Sequence, residues 1–337
     1  MMKILKIQTF ATLQDLGRFG FRSLGIGQCG AMDTLALKAG NLLLANQQNA
    51  CAIEIALGSM TVQFEQDSSF CITGAFYEAY LDNEPVYSYW RYPVRAGQIL
   101  QFVKANYGMY GYLCVQGGFD VPLELGSRST DLKTQLGGWQ GRALQEGDQL
   151  PLNPQSQVLS NIGIAPILLT DTLHALPSSE YEAFTKTSQY HWWQKSWCLQ
   201  SNSNRQGYRF EGEALSLKKP LEMLSHAVQF GTVQVPPSGQ PIVLMADTQT
   251  TGGYPKITCV IQADLGRLAQ VLVLVGTLNG LILPISLGLI LLAAYKTKIV
   301  GDYKHPLWMT IVGGLVVVSM AVLSGQTLVS YITKLVG

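Results

Sequence analysis

The chain has 337 residues, and its 23 Lys and Arg nearly cancel 22 Asp and Glu, leaving a formal net charge of +1. That balance gives no electrostatic case for nucleic acid, which needs a basic face. Only 13% of residues are charged, and the shortfall is local. Residues 1–267 are an ordinary globular mixture, enough for one or two domains with sizeable cores, whereas Leu268 to Tyr295 and Pro306 to Thr333 carry no charge. Six cysteines (Cys29, Cys51, Cys71, Cys114, Cys198, Cys259) lie scattered without a C-x-x-C spacing, which predicts reduced thiols in a cytoplasmic protein. The opening, MMKILKIQTFATLQDLGR, has no apolar stretch with a small-residue cleavage site, so no secretory leader is expected.

In chain order, Lys3–Thr9, Ala52–Leu57, Met60–Glu65 and Phe70–Thr73 have the alternating or β-branched character of short strands. Tyr77–Leu81 and Pro85–Tyr89 flank Asp82-Asn83-Glu84, which predicts a hairpin. Ile99–Val103 and Tyr110–Gln116 read as further strands. One helix is expected over Asp33–Asn46, with Asp33 as its cap. The phrases Arg95-Ala96-Gly97-Gln98-Ile99-Leu100 and Gln145-Glu146-Gly147-Asp148-Gln149-Leu150 echo each other and suggest related strand entries. The polar run Asn153–Asn161 reads as a linker. Beyond it, Ile164–Leu169 reads as a strand, Ser178–Lys195 as an aromatic-rich helix, and Ser201–Gly212, Gly231–Val235 and Ile242–Ala246 as a second β-rich lobe. Many short strands with few helices favour barrels or sandwiches over a doubly wound parallel sheet.

Familiar site motifs are weak. Gly25-Ile26-Gly27-Gln28-Cys29-Gly30 fits G-x-G-x-x-G and precedes a helix, with Glu54 at a plausible distance, but no strand runs directly into its first glycine. It reads better as an approach to a capped helix than as a dinucleotide fingerprint. No G-x-x-x-x-G-K-[ST] and no G-x-S-x-G occur, and His174, His191, His226 and His305 stand apart from one another. What remains is four clusters rich in Gly, Arg, Asp, Ser and Thr. They are Gln14-Asp15-Leu16-Gly17-Arg18 with Gly30-Ala31-Met32-Asp33; Gly126-Ser127-Arg128-Ser129-Thr130-Asp131 with Gly137-Gly138 and Gly141-Arg142; Ser203–Arg209; and Gly231–Pro255. Each taken singly could be a turn. Together they suit a carboxylate, carboxyamide or phosphorylated ligand, because arginine binds oxyanions and glycine lets backbone N–H groups approach them.

On QDLGR, GAMD, GSRSTD and ADTQTTGGYP, the chain resembles the C-type subunit of bacterial 5-oxoprolinase, also described as allophanate hydrolase subunit 2 or the antagonist of the kinase inhibitor Kip. The resemblance runs from about Lys3 to Gln270 and reaches the carboxyltransferase part of urea carboxylase. His226, in LSHAV, departs from it where an acidic residue is expected. The resemblance implies a β-rich α+β protein of two cyclophilin-like β-barrel lobes, at 1–152 and 163–268, joined by a linker at 153–162. It implies ATP-driven opening of 5-oxoproline to L-glutamate, in a complex with a B-type subunit as direct partner and an A-type subunit besides. An unstrained lactam is a poor electrophile, and phosphorylating its oxygen makes a better one. By residue type, Arg128, Asp131 and Asp33 are expected to be catalytic. Arg18, Asn204, Arg205, Gln249, Thr250, Thr251, Gly252, Gly253 and Tyr254 are expected to bind substrate. No metal is expected. Two alternatives stay open: a biotin-dependent carboxyltransferase component, with biotin carried by a partner since no A-M-K-M occurs, and a non-catalytic antagonist that binds a kinase inhibitor.

The two uncharged runs exceed the ~20 residues that span a bilayer core and predict a transmembrane hairpin within 269–337, with helices over about 271–294 and 307–330. LNGLILPISLGLILLA and KTKIVGDYKHP resemble late transmembrane helices and their loop in an NRAMP-type metal-ion transporter, without that family's metal-binding motifs. Lys296, Lys298 and Lys304 would hold the connecting loop on the cytoplasmic side. That leaves the N-terminal body outside the cell, in conflict with its ATP-driven chemistry. Residues 1–270 and 271–337 therefore read as pieces of two genes joined in frame.

Overall fold

The structure, a computed structural model, describes residues 1–155, 157–167 and 172–271, together with 293, 306, 308–309 and 312–318. Two compact units are distinguished, Met1–Leu272 and Val273–Gly337. In the second, residues 312–318 are helical. Among the described residues no helix is long and apolar enough to cross a membrane. The hairpin expected over 271–294 and 307–330 lies, apart from the few positions named, outside the described residues.

The first unit is built on two antiparallel sheets. The larger uses β1 (Met2–Gln14), β2 (Ala52–Phe64), β3 (Ser68–Leu81), β4 (Glu84–Val86), β5 (Trp90–Val94), β6 (Ile99–Val115), β7 (Gln149–Leu150) and β8 (Ile162–Gly163), in the order β7-β1-β2-β6-β3-β5-β8 with β4 on β3. The smaller uses β9 (Ala175–Pro177), β10 (Cys198–Leu199), β11 (Gly207–Glu211), β13 (Thr232–Gln234), β14 (Ile242–Leu244) and β16 (Lys256–Val260), in the order β10-β11-β14-β13-β16-β9. A separate pair joins β12 (His226–Ala227) to β15 (Thr251–Gly252). The expected closed barrels do not form among the described residues: both orders are linear, and the outer strands of the larger sheet, β7 and β8, are two residues each and do not pair with one another.

Segments that read as separate short strands are halves of long bent ones. Ala52–Leu57 and Met60–Glu65 form β2, which kinks where Leu57 (φ 56°) and Gly58 (φ 73°) are left-handed and the pairing with β6 slips between Ala56 and Met60. β3 bends likewise at Gly74 (φ 79°), whose bare α-carbon packs on the Tyr110 carbonyl. Such bulges add twist, so one strand serves the core along its whole length. The inner face buries Met2, Ile4, Leu13, Ile53, Ile55, Val62, Phe64, Phe70, Ile72, Leu100, Phe102 and Leu113. The Asp82-Asn83 turn has positive φ at both central residues (47° and 75°), the type I′ geometry that matches strand twist. The two echoed phrases are alike in structure: Gly97 (φ 93°) and Gly147 (φ 91°) donate N–H bonds to the carbonyls of Phe64 and Ile4.

Helix α1 (Thr34–Leu43) starts at Asp33, whose side chain accepts the Ala36 N–H. Helix α2 (Lys186–Gln194) is shorter than expected: Thr185 caps it by accepting from the Ser188 N–H, and Tyr181–Ala183 forms a 3₁₀ turn ahead of it. Helix α3 (Leu265–Ala269) follows β16. All six cysteines are free, and Cys29, Cys51, Cys71 and Cys114 are buried.

Candidate functional site

Two buried polar clusters converge where β1 runs out and the chain turns toward α1. The first centres on Asp15, which is 4% exposed. Its Oδ1 accepts from the Gly17 N–H (2.8 Å), the Ser127 hydroxyl (2.6 Å) and the Ser129 hydroxyl (2.5 Å), and its Oδ2 accepts the Arg128 N–H at 2.6 Å. QDLGR and GSRSTD, over a hundred residues apart, are thus tied by one carboxylate. The Arg18 guanidinium donates from Nη2 to the Ser129 carbonyl. The Arg128 side chain is half-buried and donates from Nε to the Val121 carbonyl at 2.9 Å. Asp131 turns back on its own loop, accepting the N–H groups of Lys133 (3.0 Å) and Thr134 (3.4 Å).

The second cluster spans the two sheets. Arg205 donates from Nε and Nη2 to the two oxygens of Asp247, at 2.8 Å each, from Nη1 to Glu54 and from Nη2 to the Gly30 carbonyl at 2.7 Å. Glu54 in turn accepts the Met32 N–H (2.8 Å) and the Tyr112 hydroxyl (2.7 Å), and the Tyr112 oxygen receives the Asp33 N–H. Burial pushes the Glu54 carboxyl up, against the opposing pull of Arg205 and its hydrogen bonds. Burial would lower Arg205, but Asp247 and Glu54 outweigh it and hold the guanidinium firmly charged. Asp33 is raised by burial, partly offset by the Ala36 and Gln270 donors. Cys29 lies between the clusters, feeling Asp247, Asp131, Arg205 and Arg18. Burial, with the two carboxylates adding to it, drives its thiol well above the usual range and keeps it protonated.

The residues singled out from sequence separate accordingly. Arg18, Arg128 and Asp131 sit on the first cluster. Arg205 is a buried clamp between protein carboxylates, and Asp33 is a helix cap with both oxygens engaged. Asn204 is exposed and closes the turn before β11 by accepting the Gln206 and Gly207 N–H groups. In ADTQTTGGYP, Gln249, Thr251, Gly253 and Tyr254 are exposed while Thr250 and Gly252 are half-buried. Arg22 pins that loop, donating from Nη2 to the carbonyls of Val228, Gln249 and Thr250. His226 pairs with Gly252 across β12 and β15.

The network residues not expected as site residues from the sequence are Glu54, Tyr112, Asp247 and Gln270. Glu54 carried a signal, as one carboxylate inside the apolar run Ala52–Ala56. At three of the glycine-rich turns the protein itself occupies the space that a side chain would take, while Gly126 of GSRSTD has open space beside it. A Cβ at Gly137 would collide with the Ser129 carbonyl and Arg18, one at Gly138 with Thr130, and one at Gly17 would lie 2.8 Å from the Gln28 carbonyl.

Residues 24–274 match the family model described as carboxyltransferase domain, subdomain A and B. Over 271 residues the chain is 65% identical to the C-type subunit of 5-oxoprolinase from Haemophilus influenzae, covering 80% of this chain and 88% of that protein. The chain belongs to the family of 5-oxoprolinase C-type subunits, built on the carboxyltransferase domain. This family member also superimposes on the crystal structure of the Kluyveromyces lactis urea carboxylase with a TM-score of 0.74 at 24% identity, over 80% of this chain and 26% of that one. That likeness concerns the fold. A 78-residue stretch, 23% of the chain, is 58% identical to an uncharacterized membrane protein of Haemophilus influenzae, of which it covers 20%.

Proposed function

We propose that the chain is the C-type component of an ATP-dependent 5-oxoprolinase, hydrolysing 5-oxo-L-proline to L-glutamate together with B-type and A-type subunits. The observation that carries this is the 65% identity to a 5-oxoprolinase C-type subunit along 88% of that protein. The Asp15 cluster supports a share in the substrate site, since it ties two arginine-bearing loops to one buried anchor. ATP would be bound with or by a partner subunit, since the sequence carries no G-x-x-x-x-G-K-[ST]. Arg128 and Asp131 offer groups for the lactam. The ADTQTTGGYP loop, with exposed Gln249, Thr251 and Tyr254, is the candidate wall facing the partner. The test is co-purification with a B-type homologue followed by an ATPase assay. Hydrolysis that rises on adding 5-oxoproline supports the reading, and a stable complex without that response refutes it.

A second reading, a biotin-dependent carboxyltransferase component, draws support from the family model and the urea carboxylase fold. Carboxyl transfer from free carboxybiotin to an amide acceptor, without 5-oxoproline-dependent hydrolysis, would favour it.

For the C-terminal part we propose a membrane hairpin of transporter type over about 271–294 and 307–330, encoded separately from the body. Support comes from the two uncharged runs, the 78-residue likeness to a membrane protein and the exposed Val312, Leu315 and Val318 on the helical residues 312–318.

A further inference from the structure

Arg18 is fully buried, yet much of its charge is unanswered. Nη2 reaches the Ser129 carbonyl, while Nε and Nη1 meet no acceptor. Among the described residues no carboxylate lies within ion-pair distance of it. A guanidinium does not shed its proton to escape burial, and an uncompensated buried charge is costly. The neighbouring acids cannot answer it where they stand. Asp15 is filled by four donors, Glu54 and Asp247 are engaged by Arg205, and Asp131 turns its Oδ1 to its own loop.

Two other polar side-chain atoms are also buried without partners. Gln14 donates from Nε2 to the Thr12 hydroxyl (3.0 Å) and the Thr130 carbonyl (3.3 Å), next along the chain from the carbonyl that Arg18 holds, and its Oε1 is free. The Thr248 hydroxyl, from the smaller sheet's side, is free as well. Gly27 brings that residue close, its bare α-carbon facing both the Thr248 carbonyl and the Cys29 sulfur. Cys29 in turn feels the charge of Arg18. The unused groups are therefore a cation with open N–H donors, a carbonyl-type acceptor and a hydroxyl. They complement a small molecule that carries a carboxylate, an N–H and a carbonyl.

We propose that Arg18 is the carboxylate-recognition residue of this protein, an enclosed oxyanion seat for a small lactam acid, with Gln14 Oε1 set to accept the ring N–H. Access requires the turn roofing Arg18 to lift. That roof includes Gly137 and Gly138, where any side chain would strike Arg18 or Thr130, and lifting it breaks the isolated bridges Asp131–Leu136 and Trp139–Arg142 and the bonds from the Gly137 N–H to Glu124 (2.8 Å) and from the Gly138 N–H to the Arg128 carbonyl (3.0 Å). The assignment rests on the 5-oxoprolinase reading for the identity of the lactam acid, but not for the carboxylate chemistry.

The test has two arms. In the full chain, the Arg18 Nε–H resonance is followed by NMR, assigned by its loss in Arg18→Lys, during titration with 5-oxo-L-proline, 2-pyrrolidinone, acetate and inorganic phosphate. A saturable shift with 5-oxo-L-proline and acetate, and none with 2-pyrrolidinone, is expected. A shift with phosphate alone, or with none of the four, as when a buried water completes the guanidinium, overturns the proposal. In the complex with its partner subunits, the wild-type preference for 5-oxo-L-proline over 2-pyrrolidinone should fall about 10- to 100-fold in Arg18→Lys, the range for one charged hydrogen-bond contact. An unchanged preference also overturns it. If acetate and 5-oxo-L-proline bind at Arg18 but the complex turns over no oxoproline, the oxoprolinase reading fails while the carboxylate seat stands.

Discussion

Arg205 and Asp247 meet through two hydrogen bonds of 2.8 Å, from Nε to Oδ2 and from Nη2 to Oδ1, and the same guanidinium reaches across to Glu54 on the larger sheet. One buried cation thus holds two carboxylates, Glu54 on β2 of the larger sheet and Asp247 in the turn after β14. The Asp247 end fixes the root of the ADTQTTGGYP loop, and the Glu54 end fixes the approach to α1 through Met32. This is a device for alignment: the loops it orients carry the chemistry.

Arg205→Ala is therefore expected to destabilise the body strongly, by about 3–5 kcal/mol, the cost of stripping one partner from a buried ionic group. The loss should depend on pH. Glu54 is already raised by burial, and losing Arg205 raises it further, so the folded variant holds a proton that the unfolded chain releases near pH ~4.3. Its stability then falls as pH rises from that value toward the raised folded pKa. Urea melts at pH 5 and pH 8 should show the larger deficit at pH 8, and an equal deficit at both would contradict the shared-cation account.

Much of this architecture is legible in the residues, and the misses share a cause. The helix cap at Asp33, the turn at Asp82-Asn83 and the paired entries at Gly97 and Gly147 are local, set by a few neighbouring side chains, and they read correctly. Gly58 and Gly74 read as strand breaks because a glycine in an apolar run signals one, whereas pairing on both sides turns it into a bend. Arg205 read as a ligand for substrate anions because its partners, Glu54 and Asp247, are distant in sequence and meet it only in the fold. Gln270 gave no signal, since an uncharged polar residue at a helix end has no pattern to stand out from.

Gln270 nevertheless ties α3 to β6. Its Oε1 accepts the Met109 (2.6 Å) and Tyr110 (2.9 Å) N–H groups, and its Nε2 donates to the Tyr110 carbonyl and to Asp33. Gln270→Ala strands two buried donors and should cost about 1–3 kcal/mol. Hydrogen exchange should report faster loss of protection at the Met109 and Tyr110 amides than at neighbouring β6 positions. Uniform behaviour along β6 would assign the bond to the α3 side alone.

Arg128→Ala should leave the fold intact while lowering 5-oxoproline-dependent turnover by the complex, by about 10- to 100-fold if one charged contact is lost. Its backbone N–H, which survives the substitution, makes the bond to Asp15, and the side chain contributes only Nε to Val121 among its described hydrogen bonds. Unchanged kcat/KM would take Arg128 out of the site. A large fall in Tm would make it a structural residue.

Arg142 and Asp148 form a two-bond pair, at 2.8 and 2.7 Å, beside the entry to β7. Burial alone would raise the Asp148 carboxyl, but Arg142 and the Gln145 N–H hold it below the ordinary carboxylate range. A lowered folded pKa adds stability that is present above the unfolded value near ~3.9 and is lost as pH falls through the folded one. With Arg142 partly exposed, the contribution is about 1 kcal/mol. Asp148→Asn should lose it at pH 7 and match wild type near pH 2, so a constant gap across that range would exclude the pair as its source.

The C-terminal part poses the sharpest experiment, because two chemistries share one chain. The family match extends to residue 274, whereas the uncharged sequence begins at Leu268, so the last body helix, α3, runs straight into lipid-type residues. Were Lys296, Lys298 and Lys304 to set the orientation, a two-helix hairpin would carry the body to the side of the membrane without ATP. The joined-gene account avoids that conflict. It expects a locus in which the message for the body and the message for the membrane segment are separate, and a cellular product recognised by antibodies to the body but not to residues 306–337. Sequencing the locus and transcript, with fractionation of the native protein, tests it. One continuous message and an intact chain that stays in membranes through an alkaline wash would establish a tethered enzyme component instead, and protease protection of the body in sealed vesicles would then show which face it occupies.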